Sequence, residues 1–284
     1  MQKFITDVHT HSTFSGDGVS PLSEMLETAL GKGVAFYGVS EHFNYDIDPT
    51  TKPLGEEIEI DEARYFHDAR HLQEDYQGAM NVLIGAEFGY TPSKEAQAKY
   101  LQIYQKYRPD FIVNSIHCKD GWDYYSGKHF YTLSPSGERV LRKKSEVYDE
   151  YFALVEESLD VPYPYDIVGH LGYVARYFPQ TLGREIVYAE HAEAIDRVLK
   201  KIIEKDKILE TNAAVQGLKQ NAVTGRDILE RYYALGGRNV SYASDAHQKS
   251  SILRGREEIV KELKEIGFTH LTVPCRGEKI KVEL

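Results

Sequence analysis

Short apolar segments and amphipathic stretches alternate along nearly the whole chain, and this alternation narrows the possible folds more than any other feature. The first segment, KFITDV, precedes Leu22, Met25, Leu26 and Ala29 at helical spacing. Ser20 reads as the N-cap of that helix, with Pro21 at its first position and Gly31 and Gly33 ending it. AFYGVS is the second strand. The helix DEARYFHDARHLQEDY then leads to NVLIGAEF, EAQAKYLQIYQKY to DFIVNSI, and EVYDEYFALVEESL to YDIVGH. Likewise EHAEAIDRVLKKIIEK leads to ILETN, TGRDILERYYALG to NVSYAS, and EEIVKELKEIG to HLTV. Such alternation implies parallel strands joined by right-handed crossovers. Seven or eight units in 284 residues predict a closed α/β barrel, with a doubly wound open sheet as the alternative. No linker interrupts the pattern, so residues 1–284 read as one domain.

The expected strands share an ending. The first delivers His9 and His11, the second His42, the third Glu87, the fourth His117, the fifth His170 and the seventh Asp245 and His247. Asp17 stands alone in the polar loop after the first strand. In a parallel barrel the C-terminal strand ends converge on one face, where active sites sit. A single histidine there is ordinarily a hydrogen-bonded structural residue. Six of the chain's eleven histidines on one predicted face, among carboxylates, read as metal ligands. Imidazole with carboxylate suits zinc, manganese or iron.

The other histidines fall elsewhere. His67 and His71 are four apart on a charged helix, but HDARH lacks the glutamate of the H-E-x-x-H motif, so a solvated face is expected. His191 and His270 read as structural, and His129 lies in a long irregular stretch between His117 and about Ser145. A connection that long suits either a packed excursion or a partial lid carrying Trp122, Tyr124 and Tyr125.

A formal net charge of −10 argues against nucleic acid or anionic membrane as partner, so attraction for an anionic substrate must be local. No apolar run is long enough to span a membrane, and MQKFITDVHT lacks the basic-then-apolar pattern of a signal peptide. Cys118 and Cys275, the only cysteines, have no metal-binding spacing and fit a reducing cytoplasm.

Taken in order, DVHTHSTFSGDG, GVSEH, Glu87 in GAEF, NSIHCKDG, DIVGHLG and YASDAH resemble the polymerase and histidinol phosphatase (PHP) superfamily of metal-dependent phosphoesterases. The resemblance runs from Asp7 to His247, and the chain length resembles the stand-alone histidinol-phosphate phosphatases. It implies a distorted seven-stranded (β/α)7 barrel around three divalent ions. One ion would be held by His9, His11, Glu87 and Asp245, a second by Asp17, His42 and His247, and a third by Glu87, His117 and His170. It further suggests Arg176 in HLGYVARYF as a phosphate clamp. Lys219, in AAVQGLKQ, would be a second basic contact, although extra residues there depart from the family pattern.

The implied reaction is hydrolysis of a small phosphorylated metabolite, foremost L-histidinol phosphate. A metal-bridging hydroxide would attack phosphorus in line with the leaving alkoxide. Asp46 and Asp48 are candidates for the substrate's ammonium group, and Glu41 could orient a ligand from behind. The alternatives are a nucleotide or other small phosphate ester and, further off, an amidohydrolase-type reaction. Those enzymes also begin with HxH but usually end with a lone aspartate, whereas this chain ends with Asp-x-His and adds Asp17. A homo-oligomer stays open.

Overall fold

The computed structural model describes residues 4–55 and 59–284. Seven strands form one parallel sheet in strictly sequential order: β1 (Ile5–Asp7), β2 (Val34–Phe43), β3 (Asn81–Gly89), β4 (Ile112–Ser115), β5 (Ile167–Val168), β6 (Ile208–Asn212) and β7 (Val240–Ala243). Sequential parallel order is what one helix per crossover produces, and it curls the sheet toward closure. The last gap is bridged at its upper end. His11 N–H donates to Ala246 O at 2.8 Å, Asp245 N–H donates to His9 O at 3.0 Å, and Thr10 pairs in parallel with Ala246. The fold is therefore an α/β barrel of the expected seven-stranded kind.

Seven longer helices cover the outside: α1 (Leu22–Gly31), α2 (Glu62–Asp75), α3 (Lys94–Tyr107), α4 (Lys144–Ser158), α5 (Ala192–Glu204), α6 (Arg226–Ala234) and α7 (Arg256–Ile266). Their apolar stripes pack on the sheet; α5 buries Ile195, Val198, Leu199 and Ile202, spaced as one helical face. Ser20 does not cap α1. Pro21 occupies that position without a side-chain bond, and Ser20 Oγ instead accepts the Lys249 N–H at 3.1 Å, joining α1 to the loop after β7.

Inside the barrel the lower layers are apolar. Val8, Leu83, Val113, Ile167 and Ile208 form a buried cluster with Phe111. Phe111 lies across β3, where a Cβ on Gly85 would stand 2.5 Å from the ring, so a side chain there would evict it. The segment HLTV does not supply an eighth barrel strand. It belongs to β8 (His270–Cys275), which pairs antiparallel with β9 (Glu278–Glu283), and Val273 and Val282 of this hairpin plug the lower end. Arg276 at φ 52° and Gly277 at φ 86° form the two-residue turn, the geometry a tight hairpin requires.

The excursion from 118 to 143 contains two short antiparallel ribbons, Cys118–Lys119 with Trp122–Asp123 and Tyr131–Leu133 with Arg139–Leu141. Tyr124 is buried in it, Tyr125 is exposed at the mouth of the upper cleft, and His129 is buried with Nε2 2.8 Å from the Trp122 carbonyl. Cys118 is buried, as packing alone would have it. His67 is exposed beside Asp68, and the His191 ring is buried against Asp149.

Candidate metal centre

The bonds that close the barrel also set the first ligand positions. His9 and His11 project to the same side of an extended segment, while Thr10 between them turns its hydroxyl to Gly38 O at 2.9 Å. Asp245 has φ 51°, in the left-handed region, where the chain turns out of β7. Glu87 lies directly opposite His42 in the β2–β3 register. At the top of β3, Gly89 leaves space for Asn44, since a Cβ there would stand 2.0 Å from Asn44 Oδ1. That oxygen is 3.0 Å from His117 Nδ1 and fixes the ring with Nε2 facing inward.

The six strand-end histidines meet in three nitrogen-to-nitrogen pairs. His9 Nε2 and His11 Nε2 are 3.1 Å apart, His42 Nε2 and His247 Nε2 3.3 Å, and His117 Nε2 and His170 Nε2 3.2 Å. Glu87 joins the pairs. Its Oε2 is 3.4 Å from His9 Nε2, 3.6 Å from His11 Nε2 and 2.7 Å from His42 Nδ1. Its Oε1 is 3.3 Å from His117 Nε2 and 2.8 Å from His170 Nε2. Asp245 Oδ1 is 3.4 Å from His11 Nε2, and Asp17 Oδ2 is 2.9 Å from His247 Nε2. All nine residues thus converge. Three compact donor groups emerge: His9–His11–Asp245, His11–His42–His247 and His42–Glu87–His117. These overlap the three expected sets without matching them member for member.

The donor chemistry fits divalent cations. Two nitrogens bound at about 2.0–2.1 Å to a tetrahedral ion lie about 3.3 Å apart, the spacing found in all three histidine pairs. Each facing pair of ring nitrogens can share either one proton in an N–H···N bond or, with both lone pairs turned inward, a single cation. Asp17 Oδ1 is buried with no hydrogen-bond partner, as a carboxylate oxygen waiting for an ion would be.

The electrostatics point the same way. Burial opposes ionisation of Glu87, but the His9, His117 and His42 rings overcome it and hold its carboxyl well below the usual range. Burial likewise opposes ionisation of Asp245, and Arg176 with His11 overcomes it. Burial favours neutral His9, yet Glu210 and Glu87 raise its pKa well above that of ordinary histidine. The carboxylates are thus held ionised against protonated imidazole and guanidinium, positive charge that divalent cations can take over.

Several supporting residues were not singled out from the sequence. Glu210 is fully buried; its Oε1 lies 2.6 Å from His9 Nδ1, and its Oε2 accepts the His170 N–H at 2.7 Å. A carboxylate on the far ring nitrogen fixes the tautomer that turns Nε2 toward a metal. The signal was available in ILETN, because period two puts Ile208, Glu210 and Asn212 on one face. Glu41 stands behind the ligands, not among them. It accepts hydrogen bonds from the amides and hydroxyls of Ser12 and Ser15, at 2.6 Å for both hydroxyls, and so shapes the turn between His11 and Asp17.

Glu210→Gln keeps the shape and removes the charge. The expected result is a metal affinity about ten- to a hundredfold weaker, read by competition with a chromophoric chelator. An unchanged affinity would reduce Glu210 to a packing residue.

Above the histidine cluster opens a cleft of about 420 Å³. Arg176 reaches it from the short helix Val174–Tyr177, buried, with Nη2 donating to Asp245 Oδ2 at 2.8 Å and to Asn212 Oδ1 at 3.0 Å. Its Nε is buried without a partner. Lys219 does not reach the cleft: it is exposed, and its amide donates to Glu185 Oε1 at 3.2 Å. Arg254 lines the cleft instead, as a second guanidinium. Asp46 and Asp48 are also elsewhere, bonded to Ser93 Oγ and to the Thr50 amide and hydroxyl.

Comparison with known proteins agrees with this geometry. Residues 7–214 match the PHP domain family. A probable histidinol-phosphatase of Clostridium acetobutylicum is 30% identical over 248 residues, covering 87% of this chain and 88% of that one. A histidinol-phosphatase of Lactococcus lactis is 25% identical over 241 residues, covering 85% and 83%. The fold is similar to the crystal structure of histidinol phosphate phosphatase from Lactococcus lactis complexed with zinc, L-histidinol and phosphate. The TM-score is 0.79 at 24% identity, over 98% of this chain and 99% of that one.

Proposed function

The chain belongs to the PHP domain family, and from that premise we propose that it hydrolyses L-histidinol phosphate to L-histidinol and phosphate. The observation that carries this reading is the set of three facing histidine pairs joined by Glu87 beneath a cleft bordered by Arg176. The relatives named above supply the substrate.

His9, His11, Asp17, His42, Glu87, His117, His170, Asp245 and His247 would hold three divalent ions, zinc, manganese or iron, with one histidine pair to each. Bound there, such ions supply a water ionised near neutral pH and Lewis acidity toward phosphoryl oxygens.

The chain's own groups do the rest. Glu210 and Asn44 fix two imidazole rings, and Ser115 Oγ donates to Glu87 Oε1 at 2.6 Å, so the ligands are set before substrate arrives. Arg176 is anchored through Nη2 to Asp245 and Asn212, which leaves the other face of its guanidinium to donate to a phosphoryl oxygen. Arg254 provides positive charge on the same cleft, in the role the sequence assigned to Lys219. Tyr173, Tyr177 and Tyr125 form an aromatic wall, with ring centroids 5.2 Å and 5.5 Å apart in succession. An imidazole-bearing leaving group would find a stacking surface there.

Residues beyond 214 complete the same sheet and bring Asp245 and His247, which supports one domain spanning 1–284. No helix among the described residues is long and apolar enough to cross a membrane, and Cys118 and Cys275 are unpaired.

The test is a panel of phosphomonoesters turned over by the metal-loaded protein. Histidinol phosphate should exceed nucleoside monophosphates and sugar phosphates in kcat/KM by about tenfold or more. A flat profile, or one led by nucleotides, would overturn the substrate assignment.

A further inference from the structure

The opposite end of the barrel holds a cavity of about 770 Å³, larger than the cleft above the metal centre. Six cations line it, Arg70, Arg108, Lys205, Lys207, Arg276 and Lys279, against three carboxylates, Asp110, Asp166 and Asp206. On a chain of net charge −10 this is a local reversal of sign.

Two of the three carboxylates are committed to the backbone. Asp110 Oδ2 accepts the Ile84 N–H at 2.9 Å, and Asp166 Oδ2 accepts the Ile112 N–H at 2.9 Å. Asp110 is further enclosed by Arg70 and Arg276, both at 2.7 Å. Asp206, paired with Lys279, is largely in solvent. Lys279 pairs with Asp206 and Lys205 with Asp160 at 2.9 Å, which leaves Lys207 as the lysine of the three without an acidic partner among the described residues.

Lys207 is the clearest case. Its ammonium donates to Tyr165 O at 2.6 Å rather than to an acid. Burial lowers its pKa; Lys279 and Lys205 push the same way, against Asp166. Cations at helix C-terminal ends, such as Arg108 and Lys205, answer the helix dipole and need no ligand. Arg276 answers Asp110 and Lys279 answers Asp206, so Lys207, at a strand start, is the cation with neither explanation. A cavity whose walls carry six cations against three carboxylates gains from an anion that fills it.

We propose that this cavity is a second binding site, separate from the metal centre, for a small organic polyphosphate. Its walls come from the starts of β4, β5 and β6 and the β8–β9 turn, so the ligand would tie the hairpin plug to the barrel. A long nucleic acid is disfavoured by the acidic remainder of the surface.

ADP is the probe, added to the metal-loaded protein and followed by calorimetry and by hydrogen exchange. The expected result is protection of segments 108–113, 164–167, 205–209 and 275–280. Lys207→Met and Lys279→Gln should each weaken binding about tenfold, while kcat/KM for a phosphomonoester measured without ADP stays within about twofold. Lys279→Gln alters a side chain at the rim and keeps the test open should Lys207→Met fail to fold. Protection confined to residues 170–177 and 245–254, or binding unchanged in the folded variants, would overturn the proposal.

Discussion

Glu87→Gln folds and loses activity by about a thousandfold or more in kcat/KM, with fewer bound ions per chain. The expectation follows from position. Among the described residues Glu87 is the one carboxylate within 4.0 Å of five of the six strand-end histidines, and it spans all three pairs. Glutamine fills the same volume but removes the negative charge and turns an amide donor toward nitrogens that must present lone pairs. Groups one step behind a metal ligand are worth about ten- to a hundredfold, so a carboxylate that touches all three histidine pairs should be worth more. Elemental analysis with steady-state kinetics reads both effects, and circular dichroism checks the fold. Activity within about tenfold of the parent would mean that Glu87 is a structural acid and that the ions, if any, sit elsewhere.

The site was readable because a parallel barrel converts a one-dimensional pattern into a cluster. Each strand-end His, Asp or Glu in the sequence is brought to the same rim by topology alone, so no distance had to be known in advance. What the sequence did not disclose depends on local backbone turns. Gln216 at φ 35° and Gly217 at φ 81° reverse the chain after β6 and bury Leu218, which turns Lys219 outward. Arg254 enters the cleft through a loop after β7 whose path no periodicity marks. The hairpin was misread for a similar reason. HLTV has the composition of a barrel strand, and only the Arg276–Gly277 turn with the alternating EKIKVE beyond it distinguishes a plug from an eighth stave. Glu210 was within reach of alternation, but a glutamate two residues before Asn212 in a strand carries no motif of its own.

Arg176→Ala should lower kcat/KM by about a hundred- to a thousandfold in the metal-loaded protein, the range found for removing one charged donor from a developing phosphoryl or oxyanion charge. Arg176→Lys should restore little of it. A lysine ammonium cannot bond Asp245 and Asn212 and still offer a second, rigidly placed donor to phosphate. The substitution also has a structural consequence that separates binding from support. Arg176 and Asp245 form a buried ion pair at 2.8 Å, and removing one partner of such a pair costs about 3–5 kcal/mol when nothing replaces it. Divalent ions beside Asp245 would replace it. The alanine variant should therefore lose much more thermal stability after chelation than when metal-loaded. Added guanidinium should rescue part of the activity of the alanine variant by occupying the vacated space. Activity that falls only in step with stability, without rescue, would show that Arg176 merely holds Asp245 in place and that the phosphate is gripped by other groups.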